Sequence, residues 1–213
     1  MAAAGASGRA SPPNGGTRPI LGTNPYAFGF PLGDQAPAVA DFETSLIANG
    51  KATLARATGK PLPEGATPDV HGRPTRSAAV YQDGGALLPA AGHKGSGLSV
   101  IAELVGDAMM GAPYEFNWLL LAIKADLFRP LDAALASATA YAERLRAVPP
   151  VEGVERVMMP GEPEARLAAE RYAAVPLDLA VWDGIVAAAT RVGIDAAGYG
   201  VRVGSNTAPA KRG

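Results

Sequence analysis

Four short segments carry residue types that could do chemistry. In Gly92-His93-Lys94-Gly95-Ser96-Gly97 a lysine stands among three glycines. Leu98, Ile101, Leu104, Val105, Ala108 and Met109 follow at helical spacing, so the segment opens a helix. A helix start offers N–H groups and a positive dipole end to an anion. The glycines let a phosphate approach the backbone, and Lys94 adds a point charge. Neither common phosphate motif fits. Val100 stands where the last glycine of Gly-x-Gly-x-x-Gly would fall, and Lys94 precedes the Gly-x-Gly pair instead of following it. A glycine-rich turn with a solvated lysine accounts for the same residues.

The other segments also admit two readings each. Asp41-Phe42-Glu43-Thr44-Ser45 places a carboxylate where a strand gives way to a helix, suited to ribose hydroxyls or to capping. In Pro160-Gly161-Glu162-Pro163-Glu164-Ala165-Arg166 a turn leads into a helix with acids in its first turn. The acids favour the helix dipole, and Arg166 can pair with Glu162 four residues back. Leu21-Gly22-Thr23-Asn24-Pro25 sets a hydroxyl beside a turn. Of the two histidines, His71 lies in a loop, Asp69 to Pro74. His93 is the better placed general acid.

The elements that position these residues alternate. Pro37–Asp41 reads as a short buried strand, followed by Thr44 and Ser45 as N-caps and a helix to about Ala57. Gly59 to Asp83 reads as loop and turn. The helix that opens at Gly95 ends at Gly111 and Pro113. Trp118–Ile123 is apolar on both faces, as a central strand is. Leu131, Leu135, Ala138, Ala142 and Leu145 form one helical stripe, stopped by Pro149 and Pro150. Val154–Met159 reads as a strand, and 162–174 and 181–192 as helices. The class is α/β, or closely related mixed α+β. Residues 1–17 and 196–213 are small and polar enough to be flexible ends around one domain, 18–195.

Composition excludes several functions. Nineteen basic residues against twenty acidic ones leave no basic excess for nucleic acid or an anionic membrane. The absence of cysteine removes disulfides, thiolate metal sites and thiol nucleophiles, and makes the cytoplasm the expected compartment. Two histidines do not make a His-rich metal centre, so no metal is expected. The longest apolar run, Trp118 to Ile123, falls far short of the roughly 20 residues a bilayer requires.

In order, LGTNPYAF from Leu21, ADFETS from Ala40, DVHGRPT from Asp69, GHKGSGLS from Gly92, VERVMMPGEPEAR from Val154 and VPLDLAVW from Val175 resemble one family. It is the type 2 malate/L-lactate dehydrogenases, also called sulfolactate dehydrogenase-like, and the resemblance runs from about Gly15 to Gly193. It implies a non-Rossmann fold, a mixed sheet flanked by helices, incomplete in this chain. It implies hydride transfer between a nicotinamide cofactor, NAD or NADP, and a small 2-oxo or 2-hydroxy acid. Some relatives reduce cyclic imino acids or oxidise ureidoglycolate. By resemblance Thr23 lines the substrate site. Asp41, Phe42, Glu43 and Lys94 line the cofactor site, with Pro160, Gly161, Glu162 and Arg166 further along. Glu43 replaces a small residue of the family pattern, and its charge would repel a 2′-phosphate, which favours NADH.

The family's catalytic histidine, its neighbouring serine and the substrate-clamping arginine precede the LGTNP motif, where this chain has residues 1–17 and no histidine. The expectation is therefore a chain truncated relative to the family, with no catalytic residue assigned and His93 as the one substitute acid. A nucleotide-binding remnant without turnover is the alternative. The family forms homodimers, so an apolar face is expected to drive self-association or association with a full-length relative.

Overall fold

Backbone pairing, rather than side-chain patterning, builds the central sheet. The computed structural model describes residues 2–6, 9–111 and 116–196. Strands β1 (Ala2–Ala6), β2 (Tyr26–Leu32), β3 (Gln35–Phe42) and β6 (Phe116–Leu120) lie in the order β3-β2-β1-β6. Every pairing in this sheet is antiparallel. A two-stranded ribbon, β4 (Thr67–Pro68) with β5 (Pro74–Thr75), stands apart. The helices are α1 (Asn49–Thr58), α2 (Ala78–Gln82), α3 (His93–Glu103), α4 (Leu131–Arg146), α5 (Glu162–Arg171) and α6 (Leu179–Arg191). A π-helical segment, Leu104–Met109, continues α3. Residues 1–175 form one unit; α6 belongs to a second, 176–213. The mixed α/β class stands.

Several expectations are corrected. The N-terminal segment is not a frayed end: β1 sits between β2 and β6, and Ala10, Ser11 and Pro12 are buried. Ala10 and Ser11 N–H groups both donate to the Leu21 carbonyl, and the Ala10 carbonyl accepts from Leu87. Small side chains gave no pattern to read, and backbone hydrogen bonds supply the order instead. The strand at 37–41 exists but is exposed along most of its length, because β3 is an edge. Trp118–Ile123 is not central either. Its strand part pairs with β1, and Trp118 and Leu120 are exposed. Thr44 and Ser45 do not cap α1, which starts four residues later with Ala48 before it. Val154–Met159 is irregular rather than a strand. The tail 197–213 lies outside the described residues.

Among the described residues, three small cores hold the first unit. Ala52, Leu62, Ala66, Ala78 and Leu87 pack beneath α1 and α2. Tyr26 meets Ala102 of α3, and its hydroxyl donates to the Leu98 carbonyl at 2.7 Å. Leu32, Ala142 and Met159 form the third, joined by Ala38, Ala138 and Leu145, so the later part of the predicted α4 stripe packs inward while Leu131 is exposed. Between these contacts Phe28 and Phe42 lie side by side with Tyr26, ring centroids 6.2–6.3 Å apart, and both phenylalanines remain exposed.

Candidate functional site

Strand β3 links the candidate residues. Near its middle, Val39 N–H donates to the Pro160 carbonyl at 2.9 Å, so the 160–161 turn lies against the outer edge of the sheet. Gly161 has φ +94, and a β-carbon there would sit 3.3–3.4 Å from Val39 backbone atoms. Only glycine takes that conformation at that distance without strain. Just past the strand's end, Thr44 N–H and Oγ1 donate to the Thr23 carbonyl, while the Thr44 carbonyl accepts from Ala90. Gly95 packs against the same Thr44 carbonyl: a β-carbon would fall 2.6 Å from its oxygen and closer still to that of Ala90.

The edge therefore carries Gly161 at Val39, then Asp41, Phe42 and Glu43, then Thr44 with Thr23 and the start of α3. From Val39 to Thr44 is five residues, about 17 Å of extended chain. Gly161 lies against the middle of β3 and Gly95, next to Lys94, against Thr44 just past its end. A cavity of about 180 Å³ lies beside Gly161, lined by Gln35, Pro37, Arg146 and Met159 among others. A second, about 350 Å³, lies beside Ala91 and Gly92, between the Pro12–Gly16 loop and Leu88.

The start of α3 differs from the expected anion cradle. Ala91 and Gly92 have positive φ, 50° and 60°, and fold the preceding carbonyls back over the helix end. Lys94 N–H donates to Ala91, and Gly95 N–H to Ala90. Those amides are thus occupied, and the attraction for an anion falls to the Lys94 ammonium and the helix dipole. His93 and Lys94 are both exposed on this first turn. Asp41 and Phe42 are exposed, and Glu43 is half-buried with its Oε2 3.3 Å from Ser45 Oγ.

Glu162 and Arg166 do not pair with each other. Glu162 Oε1 accepts from Arg146 at 2.6 Å and 2.8 Å, and Oε2 accepts from Met159 N–H at 2.9 Å. Arg146 also donates to Gln35 Oε1 at the start of β3. Glu162 thus fixes the 160–161 turn onto α4 and the sheet. Arg166 pairs instead with Glu155 and Glu170. Burial pushes the Glu162 carboxyl up, but the Met159 bond and the Arg146 charge outweigh it, so the net shift is below the ordinary 4.5. Such a group stabilises the fold above its unfolded value and loses that contribution as pH falls through the folded one. Glu162→Gln is therefore expected to lower the melting temperature at pH 7 and to flatten the acid limb of a melting-temperature profile below about pH 4.5; thermal melts across pH 3–7 check it.

Sequence reasoning gave no role to Arg146, Ser99 or Glu103. Asn24 is fully buried with φ 37. Its Nδ2 donates to Ser99 Oγ at 2.8 Å and to Glu103 Oε1 at 2.8 Å, and Gly22 N–H donates to the same Glu103 oxygen at 2.7 Å. The Asn-Pro dipeptide marked a turn; nothing local marked its partners 75 residues on. The loop of His71 closes on itself, with Asp69 Oδ1 accepting from His71 and Arg73 N–H groups, and takes no part in the site. No group of His, Asp and Glu able to hold a metal exists among the described residues. None of the described helices is long and apolar enough to cross a membrane.

An antiparallel sheet with a glycine turn on its edge and a helix start at the end of that edge defines a mixed α/β class outside the doubly wound folds. The chain belongs to the malate/L-lactate dehydrogenase family, whose model matches residues 1–186. It is similar to hydroxycarboxylate dehydrogenase B of Escherichia coli O157:H7, 34% identical over 82% of this chain and 52% of that protein. Over 108 residues, half of this chain and 32% of the relative, it is 44% identical to a Pseudomonas putida Δ1-pyrroline-2-carboxylate/Δ1-piperideine-2-carboxylate reductase. The sulfolactate dehydrogenase of Methanocaldococcus jannaschii superposes with a TM-score of 0.75 at 27% identity, over 91% of this chain and 59% of that one. The chain thus spans between about a third and three fifths of the length of these relatives.

Proposed function

We propose that this chain supplies the dinucleotide-holding edge of an oxidoreductase acting on a small 2-oxo or 2-hydroxy acid. The observation that carries the reading is the single line of candidate residues along β3, from Gly161 at Val39 to Thr23 at Thr44. A reduced nicotinamide, when bound, supplies a hydride to the substrate carbonyl carbon. The residues present fit such a group in part. Lys94 offers a cation for a phosphate, Asp41 an acceptor for ribose hydroxyls and Phe42 an exposed ring face. Gly161 leaves the edge clear where a β-carbon would crowd Val39. Glu162 holds the turn rather than the ligand, and Arg166 is committed to Glu155 and Glu170.

With Thr23 read as a substrate residue, the reacting centre belongs beside α3, whose Ser99 and Glu103 bond the residues flanking Thr23, and the rest of the nucleotide runs toward Gly161. His93, exposed on the first turn of α3, is the imidazole that could hold a proton for the developing alkoxide. A bidentate arginine is the usual grip for a substrate carboxylate. Thr23, Thr44 and the exposed His93 and Lys94 of α3 do not include one. The charge of Glu43 near Asp41 favours NADH over NADPH. The exposed Phe28, Phe30, Trp118 and Leu120 support a homodimer, which sedimentation at micromolar concentration separates from a monomer.

The test is a titration with NADH and NADPH in parallel, followed by assay with pyruvate, oxaloacetate and piperideine-2-carboxylate. Saturable binding, tighter for NADH, with turnover of one of these acids supports the full reading. Binding without turnover reduces it to a nucleotide-binding chain. An unchanged rate in His93→Ala removes His93 as the acid.

A further inference from the structure

We propose that Glu103 is a positioning residue: through Gly22 and Asn24 it sets where Thr23 stands against α3. As a statement about substrate the proposal rests on the reading of Thr23 given above. As a statement about geometry it rests on four bonds. One oxygen of Glu103 accepts from Gly22 N–H at 2.7 Å and from Asn24 Nδ2 at 2.8 Å. Asn24 Nδ2 also donates to Ser99 Oγ, and Ser99 Oγ reaches the Gly22 carbonyl at 3.5 Å. The residues on both sides of Thr23 are therefore tied to one face of α3, four residues apart. On its other side the Thr23 carbonyl is held by Thr44.

Thr23 is thus clamped between the strand end and the helix that carries His93 and Lys94. Asn24, fully buried at φ 37, takes a left-handed conformation that asparagine tolerates, and its bonds to Ser99 and Glu103 hold it there. Glu103 is also the last residue of α3 before the π-helical segment Leu104–Met109.

Glu103→Ala removes the acceptor of Gly22 N–H and one acceptor of Asn24. Glu103→Gln keeps an oxygen at the same reach, and Glu103→Asp keeps the charge but withdraws the oxygen by one carbon. The experiment is amide exchange at Gly22 together with threonine-methyl NMR. Thr67, buried and bonded to Ala86, serves as the remote control. We expect Glu103→Ala to speed Gly22 exchange roughly tenfold or more and to move the Thr23 methyl while Thr67 stays in place. Glu103→Gln should restore both, and Glu103→Asp should not. If Glu103→Ala does not fold, the contrast between Gln and Asp decides. Unchanged Gly22 exchange and Thr23 signal, equal movement of Thr67, or equal effects of Gln and Asp would overturn the proposal. Pyruvate titrated into the NADH-saturated wild-type chain reads the substrate assignment separately. If the Thr23 methyl does not respond, that assignment fails, while the exchange data still decide the role of Glu103.

Discussion

Gly95→Ala is expected to lower the melting temperature by roughly 6–12 °C. An added methyl there meets two backbone carbonyls, Thr44 at 2.6 Å and Ala90 nearer still. Neither can rotate away as a side-chain tip would. The Thr44 carbonyl is bonded to Ala90 N–H, and the Ala90 carbonyl to Gly95 N–H itself. Relief requires α3 to withdraw from the end of β3, and overpacking of this kind costs about 3 kcal/mol or more. The same withdrawal separates Thr44 and Thr23 from the helix start, so nucleotide affinity should fall with stability. Gly97→Ala is the internal comparison. It lies one turn into the same helix with nothing within 4 Å of the new methyl. It should leave the melting temperature unchanged or raise it slightly, since alanine suits a helix better than glycine by about 1 kcal/mol. Differential scanning calorimetry of the two variants separates the effects.

The second large effect is on binding alone. Lys94→Ala should weaken NADH about tenfold or more at low salt, with the melting temperature unchanged. Lys94 is exposed, so its removal disturbs no packing. On the proposed reading its weight in binding is increased by the turn that precedes it: with the Lys94 and Gly95 amides already bonded to Ala91 and Ala90, an anion contact would fall to the ammonium. Screening follows from the same argument, and the loss should shrink as ionic strength rises. Lys94→Arg should retain most of the affinity. Fluorescence titrations of the three proteins at two salt concentrations give both numbers.

What could be read from the residues depended on whether their patterns were local. Leu131 to Leu145 repeat at helical spacing, and α4 spans 131–146 with Ala138, Ala142 and Leu145 inward. The glycine-rich start of α3 and the Pro-Gly turn before α5 were also clear, because turns and helix starts are written in neighbouring residues. The errors lie where the information was distant. Ala2–Ala6 has no alternating pattern, so nothing in it announced a strand held by β2 and β6. Trp118 to Ile123 is uniformly apolar, which does not tell a central strand from an edge awaiting cover. Arg166 had an acid at the right spacing in Glu162, yet Arg146, sixteen residues upstream, holds that acid instead. At the candidate site the family motifs identified the segments, but not how β3 threads them together. The Asn24–Glu103 contact was likewise invisible until the chain was folded.

Hydrogen exchange with and without saturating NADH tests the central claim most directly. Protection is expected in segments 41–46, 91–96 and 159–163, the three stretches that the edge of β3 brings into line. Saturable binding whose protection falls on the 67–75 ribbon or elsewhere, with those three segments unchanged, would contradict the account. So would the absence of any binding at millimolar nucleotide.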